Sequence, residues 1–193
     1  MKPIYVLLFF VFFAFAKKNT AQTAIIKSGV YITKADFKEN KLTEEADCTN
    51  DKEKFKKHDF FSKSEFVVIN KGKKITYLKK QIYAYRDCEN VVWRFYNNQE
   101  YEIMETGAIY IYAIRKLVVV EESIEREPVY YFSKGALGDI KKLSVANLKE
   151  AFIKNQAFHN LLDAEFKAPN VVEMYDAVHK MYEVNYLYKQ CVK

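Results

Sequence analysis

Between residues 64 and 132, apolar and polar positions alternate in short runs broken by turn residues, the period of β-strands rather than helices. Runs at 65–70 and 74–78 flank Lys71-Gly72, a hairpin turn, and runs at 82–87 and 91–96 flank a second tight connection at Cys88-Glu89-Asn90. Asn97-Asn98-Gln99 turns the chain into 101–105, and Gly107 turns it into 108–115. Runs at 117–122 and 129–132, separated by the charged Glu125-Arg126-Glu127-Pro128, complete the set. Connections this short favour antiparallel neighbours, because a parallel pair needs a longer crossover. The pattern predicts six to eight strands.

The alternation also assigns faces. Ile109, Ile111 and Ala113 oppose Tyr110 and Tyr112; Ile82 and Ala84 oppose Tyr83 and Tyr85; Val91, Trp93 and Phe95 oppose Val92, Arg94 and Tyr96. One face is aliphatic, the other rich in tyrosine, and neither is plainly polar. Such a sheet is covered on both sides or curled into a barrel.

Beyond a joint at 133–142 the period becomes helical. Ser144 is placed to cap a helix over 145–153, and Asn155 a second one reaching 166. After Pro169, Asn170 is placed to cap a third helix, over 171–188, with Val171, Tyr175, Val178 and Tyr182 as its stripe. Ahead of the sheet, Thr33 and Asp36 form a capping-box pattern for a short helix over 34–41, and the charged stretch 43–57 reads as a solvated loop. The expected fold is α+β: an antiparallel sheet followed by two or three C-terminal helices that cover one of its faces.

Residues 1–22 read as an export signal. Lys2 precedes an unbroken apolar run at 4–15, and Lys17, Lys18, Asn19 and Thr20 follow it. The run is shorter than the roughly 20 residues that span a bilayer, and no later stretch approaches that length. Cleavage after Ala16 fits a small-x-small site, and cleavage near Ala21 or Gln22 follows a more usual polar region. The expectation is a single globular domain over 23–193, mostly β to 132 and a helical tail after it, in the periplasm or outside the cell.

Charge and cysteine content refine this picture. Lys2, Lys17 and Lys18 lie in the leader without an acid, so half of the formal net charge of +6 belongs to it. The remaining basic residues are interspersed with acids, which argues against a nucleic-acid partner. Of the three cysteines, Cys48 in the polar loop and Cys88 at a hairpin are the pair to join if a bridge forms; Cys191 is left over.

The stretch Gly29-Val30-Tyr31-Ile32-Thr33-Lys34-Ala35-Asp36-Phe37-Lys38 resembles the opening of a group of small secreted proteins of Gram-negative bacteria, with the pattern Gly-Val-Tyr-x-Thr-x-x-Asp-Phe-Lys and no assigned activity. The resemblance implies an exported, mostly β protein with a helical end. It transfers no activity and no site residue.

Candidate chemistry is sparse. Trp93, Tyr83, Tyr85, Tyr110 and Tyr112 are the candidate binding residues, since an aromatic face offers a flat apolar platform with polar edges for a sugar; the competing reading is packing, for which tyrosine in strands is well suited. His159 with Asp163 and His179 with Glu183 stand at i,i+4, the spacing of exposed helix pairs, and the cysteines lack short metal-binding spacing, so neither a metal nor a cofactor is expected. Gly135-Ala136-Leu137-Gly138 lacks the Lys-Ser/Thr of a P-loop and reads as a turn. No Gly-x-Ser-x-Gly elbow is present. Asp87, Glu89 and Arg94 near Trp93 form either a polar cleft or a hairpin end. The functional expectation is a non-catalytic binding module of the cell envelope, with an envelope protein or a glycan as partner. The competing expectation is a hydrolase of envelope or extracellular polymers.

Overall fold

The computed structural model describes residues 27–46, 48, 55, 64–70, 72–120, 123–168 and 172–192. The export signal read over 1–22, most of the loop at 43–57, His58, Asn170 and Val171 lie outside the described residues. Within them the architecture is α+β. Eight antiparallel strands form one sheet: β1 (Ser28–Tyr31), β2 (Glu44–Ala46), β5 (Ala84–Arg86), β6 (Val92–Tyr96), β7 (Gln99–Glu105), β8 (Ile109–Val120), β9 (Ser123–Lys134) and β10 (Lys141–Lys142). Their order is β10-β9-β8-β7-β6-β5-β1-β2, so β10 and β2 are free edges and the sheet does not close into a barrel. Two hairpins stand apart from it, β3 (Glu65–Asn70) with β4 (Lys73–Leu78), and β11 (Tyr175–Asp176) with β12 (Met181–Tyr182).

Both faces are covered. On the first, Ile109, Ile111 and Phe132 pack against α2 (Val145–Ala151), α3 (Gln156–Glu165) and α4 (Glu183–Gln190) through Leu148, Phe152, Phe158, Leu162 and Leu187. The same face continues to Val30, Tyr85 and Phe95, where the β3–β4 hairpin lays Phe66 and Val68 over it. On the second face Tyr101, Tyr110 and Tyr112 are closed over by Ala136 and Ile140 from the turn after β9. Tyr31 and Tyr83 meet Phe37 of α1 (Lys34–Lys38) beside them.

Local chemistry sets the helix starts. Asp36 N–H donates to Thr33 Oγ1 at 3.1 Å while Thr33 N–H donates to Asp36 Oδ2 at 2.8 Å, a reciprocal cap for α1. Ser144 accepts from Asn147 N–H at 3.2 Å, and Asn155 accepts from Phe158 N–H at 3.0 Å.

Three elements differ from the sequence pattern. Glu44–Ala46, in the charged stretch read as a solvated loop, forms the edge strand β2 because its backbone pairs with β1, which its polar side chains do not announce. Instead of two strands with a break at 116, β8 runs through Arg115 and Lys116, and β9 runs through Glu125, Arg126, Glu127 and Pro128. From Ile114 onward β8 pairs only with β9, forming a two-stranded arm with the described side chains between Arg115 and Pro128 exposed. Charges there meet water on both faces, and Pro128, without an N–H, lies on the side of β9 that no strand pairs. The third helix predicted over 171–188 is replaced by the β11–β12 hairpin and the shorter α4. Asp176 accepts from Val178 N–H at 2.8 Å and from His179 N–H at 3.0 Å, and Lys180 takes φ 53, so a turn displaces the helical ladder. Val178 and Tyr175 of the expected stripe are exposed, while Tyr182 is buried.

Candidate binding site on the tyrosine face

The sheet divides the five aromatic candidates. Tyr85 pairs with Trp93 across β5 and β6, and both side chains lie on the face covered by the β3–β4 hairpin, their rings stacked at 6.3 Å. Tyr83, Tyr110 and Tyr112 lie on the opposite face, around Arg94. Tyr83 escapes the two-residue period because it precedes β5, where its N–H is shared between the carbonyls of Tyr31 and Ile32. Tyr83, Tyr85, Tyr110 and Tyr112 are buried and Trp93 is half-buried. The five do not form one open platform.

The hairpin candidates separate in the same way. Asp87 builds its turn: Oδ1 accepts from Val91 N–H at 2.8 Å and Oδ2 from the Trp93 indole at 2.7 Å. Arg94 points to the other face, and Glu89 is exposed. A disulfide joins Cys48 to Cys88 in this turn, with Cα atoms 5.5 Å apart, and Cys191 is free.

Arg94, which the sequence offered only as part of a polar cleft or a hairpin end, is instead enclosed among the tyrosines. It is 3 % exposed, in the middle strand of the tyrosine face. Nη1 donates to Tyr112 Oη at 2.7 Å and to Ser133 Oγ at 3.2 Å, and Nη2 donates to the Gly138 carbonyl at 3.0 Å. The guanidinium carbon lies 5.3 Å from the Tyr83 ring centroid, and 5.6 Å from those of Tyr96 and Tyr112. Nε makes no hydrogen bond, and among the described residues no carboxylate pairs with this cation. The turn that supplies the Gly138 carbonyl needs glycine there, because a Cβ on residue 138 would stand 2.7 Å from the Lys134 carbonyl oxygen.

Arg94 lines a groove of about 500 Å³ between α1, the 3₁₀ turn Lys79–Gln81 and the 135–140 turn. Tyr83 and Tyr96 wall it, and Lys34, Lys80 and Asp139 stand at its exposed rim. A second groove of about 380 Å³ shares Lys80, Ile82, Phe95 and Tyr96 with the first and continues it to Asn97 and Asn98. Both asparagines have positive φ, 50 and 62, the conformation that a two-residue hairpin turn between β6 and β7 requires. Beneath the second groove, Lys79 is held by Glu100 at 3.0 Å.

Burial raises the pKa values of this tyrosine layer. It pushes Tyr83, Tyr101, Tyr110 and Tyr112 upward against the opposing pull of Arg94, and Tyr31 upward against that of Arg86. Tyr96 is raised first by burial and then by its hydrogen bond to Asp139. A tyrosine whose folded pKa exceeds its unfolded value stabilises the fold fully below the ordinary 10.0, and that contribution is lost as pH rises through the folded value. Stability is therefore expected to fall from pH 10 upward. In a phenolate absorbance titration these tyrosines are expected to ionise together with unfolding; ionisation of all tyrosines near pH 10 with the fold intact would contradict the packing described.

The histidines have other tasks. His159 Nε2 lies 3.1 Å from the carbonyls of Lys149 and Phe152, tying α3 to the end of α2. His179 meets Asp176 through Nδ1 and stacks on Tyr186 at 3.9 Å. Among the described residues no group of three or more His, Cys, Asp or Glu side chains is placed to hold a metal. Burial raises the carboxyls of Glu173 and Glu183, and Asp176 and Glu165 add to the effect at Glu183; neither glutamate lines the grooves. No helix among the described residues is long and apolar enough to cross a membrane.

Comparison with protein families, with curated proteins and with solved structures finds no match.

Proposed function

We propose that the protein is an exported, non-catalytic binding module of the cell envelope, and that the groove beside Arg94 is its binding surface. One observation carries the reading: a buried, permanently charged guanidinium, without a carboxylate partner among the described residues, lines the wall of a groove of ligand size. The disulfide fits an oxidising compartment. A hydrolase of polymers finds less support. Glycoside hydrolysis commonly uses two carboxyl groups about 5–10 Å apart, and among the described residues lining the Arg94 groove Asp139 is the one carboxylate.

A thermal-shift panel of neutral and acidic glycans, small metabolites and divalent metals tests the proposal. A ligand at about 100 times its Kd adds about 2.7 kcal/mol, which raises the midpoint of a chain this size by roughly 5–10 °C. The expected result is a shift of this kind that Tyr96→Ala abolishes. A panel without any Tyr96-dependent shift, or chromatography showing a glycan cleaved, would overturn it.

A further inference from the structure

Arginine does not deprotonate in proteins, so Arg94 keeps its charge on a face built of tyrosine rings. Among the described residues its direct contacts offset that charge with dipoles: two hydroxyls, one carbonyl and three ring faces. Five N–H donors are available on a guanidinium; three hydrogen bonds are made, and Nε has none. A buried charge without a counter-ion is costly, and apolar side chains of similar volume commonly serve a packing role at least as well. Two further cations, Lys34 and Lys80, stand exposed at the rim of the same groove, and among the described residues neither pairs with a carboxylate. Asp139 is the opposing charge at the rim.

We propose that the groove takes a ligand bearing a carboxylate or phosphate group, with Arg94 as the counter-charge in the wall, Lys34 and Lys80 drawing the anion in from the rim, and the Tyr96 ring supporting the rest of the ligand. The proposal rests on the reading of the groove as a binding site and adds the sign and chemistry of what enters. The continuation toward Asn97 and Asn98 gives room for an extended molecule, such as a short acidic glycan, in addition to a lone anion.

Calorimetric titration with three probes tests it: trigalacturonate, a neutral trisaccharide, and inorganic phosphate. At least one acidic probe is expected to bind, at least about tenfold more tightly than the neutral one, since hydrogen bonds to charged groups contribute more than neutral ones. Binding of trigalacturonate alone identifies an acidic glycan as the source of the anion, and binding of phosphate identifies a phosphate; both results support the proposal. Arg94→Met is expected to weaken the acidic probe by about tenfold or more. Because that variant also removes three hydrogen bonds of the fold, the doubly substituted Lys34→Gln, Lys80→Gln protein serves as a second arm. Both of its sites are exposed, so it is expected to fold as the parent and to bind the acidic probe about three- to tenfold more weakly, with a smaller salt dependence. Asp139→Asn is expected to tighten binding a few-fold. Equal affinity for neutral and acidic probes, or an affinity unchanged in the lysine variant, would overturn the anion proposal and leave the groove as a binding site. If no acidic probe binds while a neutral ligand from the panel gives a Tyr96-dependent shift, the anion proposal alone falls. If neither the probes nor the panel bind, both fall together.

Discussion

Replacing Glu100 by alanine is expected to destabilise the protein by about 3–5 kcal/mol, the usual consequence of removing one member of a buried ion pair. Glu100 Oε1 lies 3.0 Å from Lys79 Nζ, with the two side chains 12 % and 7 % exposed. Its other oxygen accepts from the Tyr85 hydroxyl at 2.9 Å. The lysine also sits 5.6 Å from the centroid of the Phe95 ring, which gives little compensation once the carboxylate is gone. The alanine variant therefore leaves a buried ammonium without its carboxylate and removes one acceptor from the Tyr85 hydroxyl. Adding Lys79→Met to it is expected to recover most of the loss, because the pair is then replaced by apolar volume and no charge is stranded. Urea denaturation of the two single variants and the double variant measures this directly. A Glu100→Ala effect below about 1 kcal/mol would show that the pair is solvated and screened. Since Lys79 lines the second groove, the same variants are also expected to perturb ligand binding there.

The second large effect is expected from the disulfide. Cys48 and Cys88 are 40 residues apart, and closing a loop of that length lowers the unfolded chain's entropy by an amount worth about 4 kcal/mol. Cys88 sits in the turn organised by Asp87, which also accepts the Ser28 hydroxyl on its carbonyl at 2.8 Å, so the bridge fastens chain around residue 48 to the junction of β1 and β5. Cys48→Ser with Cys88→Ser, or reduction of the parent, is expected to lower the melting midpoint by roughly 8–16 °C at 2–4 °C per kcal/mol. An unchanged midpoint after complete reduction, verified by thiol counting, would contradict this account of the bridge.

Much of the fold is written in local signals. Thr33 with Asp36, Ser144 and Asn155 mark helix starts because the capping hydrogen bonds join residues three positions apart. The strands from β3 to β7 follow the two-residue period because each buries one face or both. The signal weakens where burial stops. Arg115, Lys116 and the Glu125–Pro128 stretch look like breaks, yet in a two-stranded arm with both faces wet no apolar alternation is needed. The β11–β12 hairpin was hidden for a different reason: Val178 and Tyr175 fall at helical spacing, and only the Asp176 side chain decides for a turn.

The site was less legible than the fold. Alternation placed Arg94 on the tyrosine face, but nothing near it in sequence announces that it is buried. Its partners are Tyr112, Ser133 and Gly138, between 18 and 44 residues away, and the turn from Gly135 to Ile140 must fold back before the cation is enclosed. The readable hint was Gly138, a glycine in a cluster that fails the P-loop pattern and sits where a Cβ would meet the Lys134 backbone. The tyrosines could be read from the sequence either as a platform or as packing, and burial makes most of them the packing layer that holds Arg94.

If Arg94 is the buried counter-charge for an incoming anion, as proposed, its own Nε–H reports on that without any substitution. In a ¹H–¹⁵N spectrum recorded through a titration with trigalacturonate and then with inorganic phosphate, the Arg94 Nε–H resonance is expected to move saturably. The rim signals of Lys34 and Lys80 should move with the same apparent Kd, while the Arg86 Nε–H stays in place. An Arg94 resonance that holds its position through both titrations, in a protein whose remaining spectrum shows it folded, would contradict the central claim and leave Arg94 as a fastener of the tyrosine layer alone.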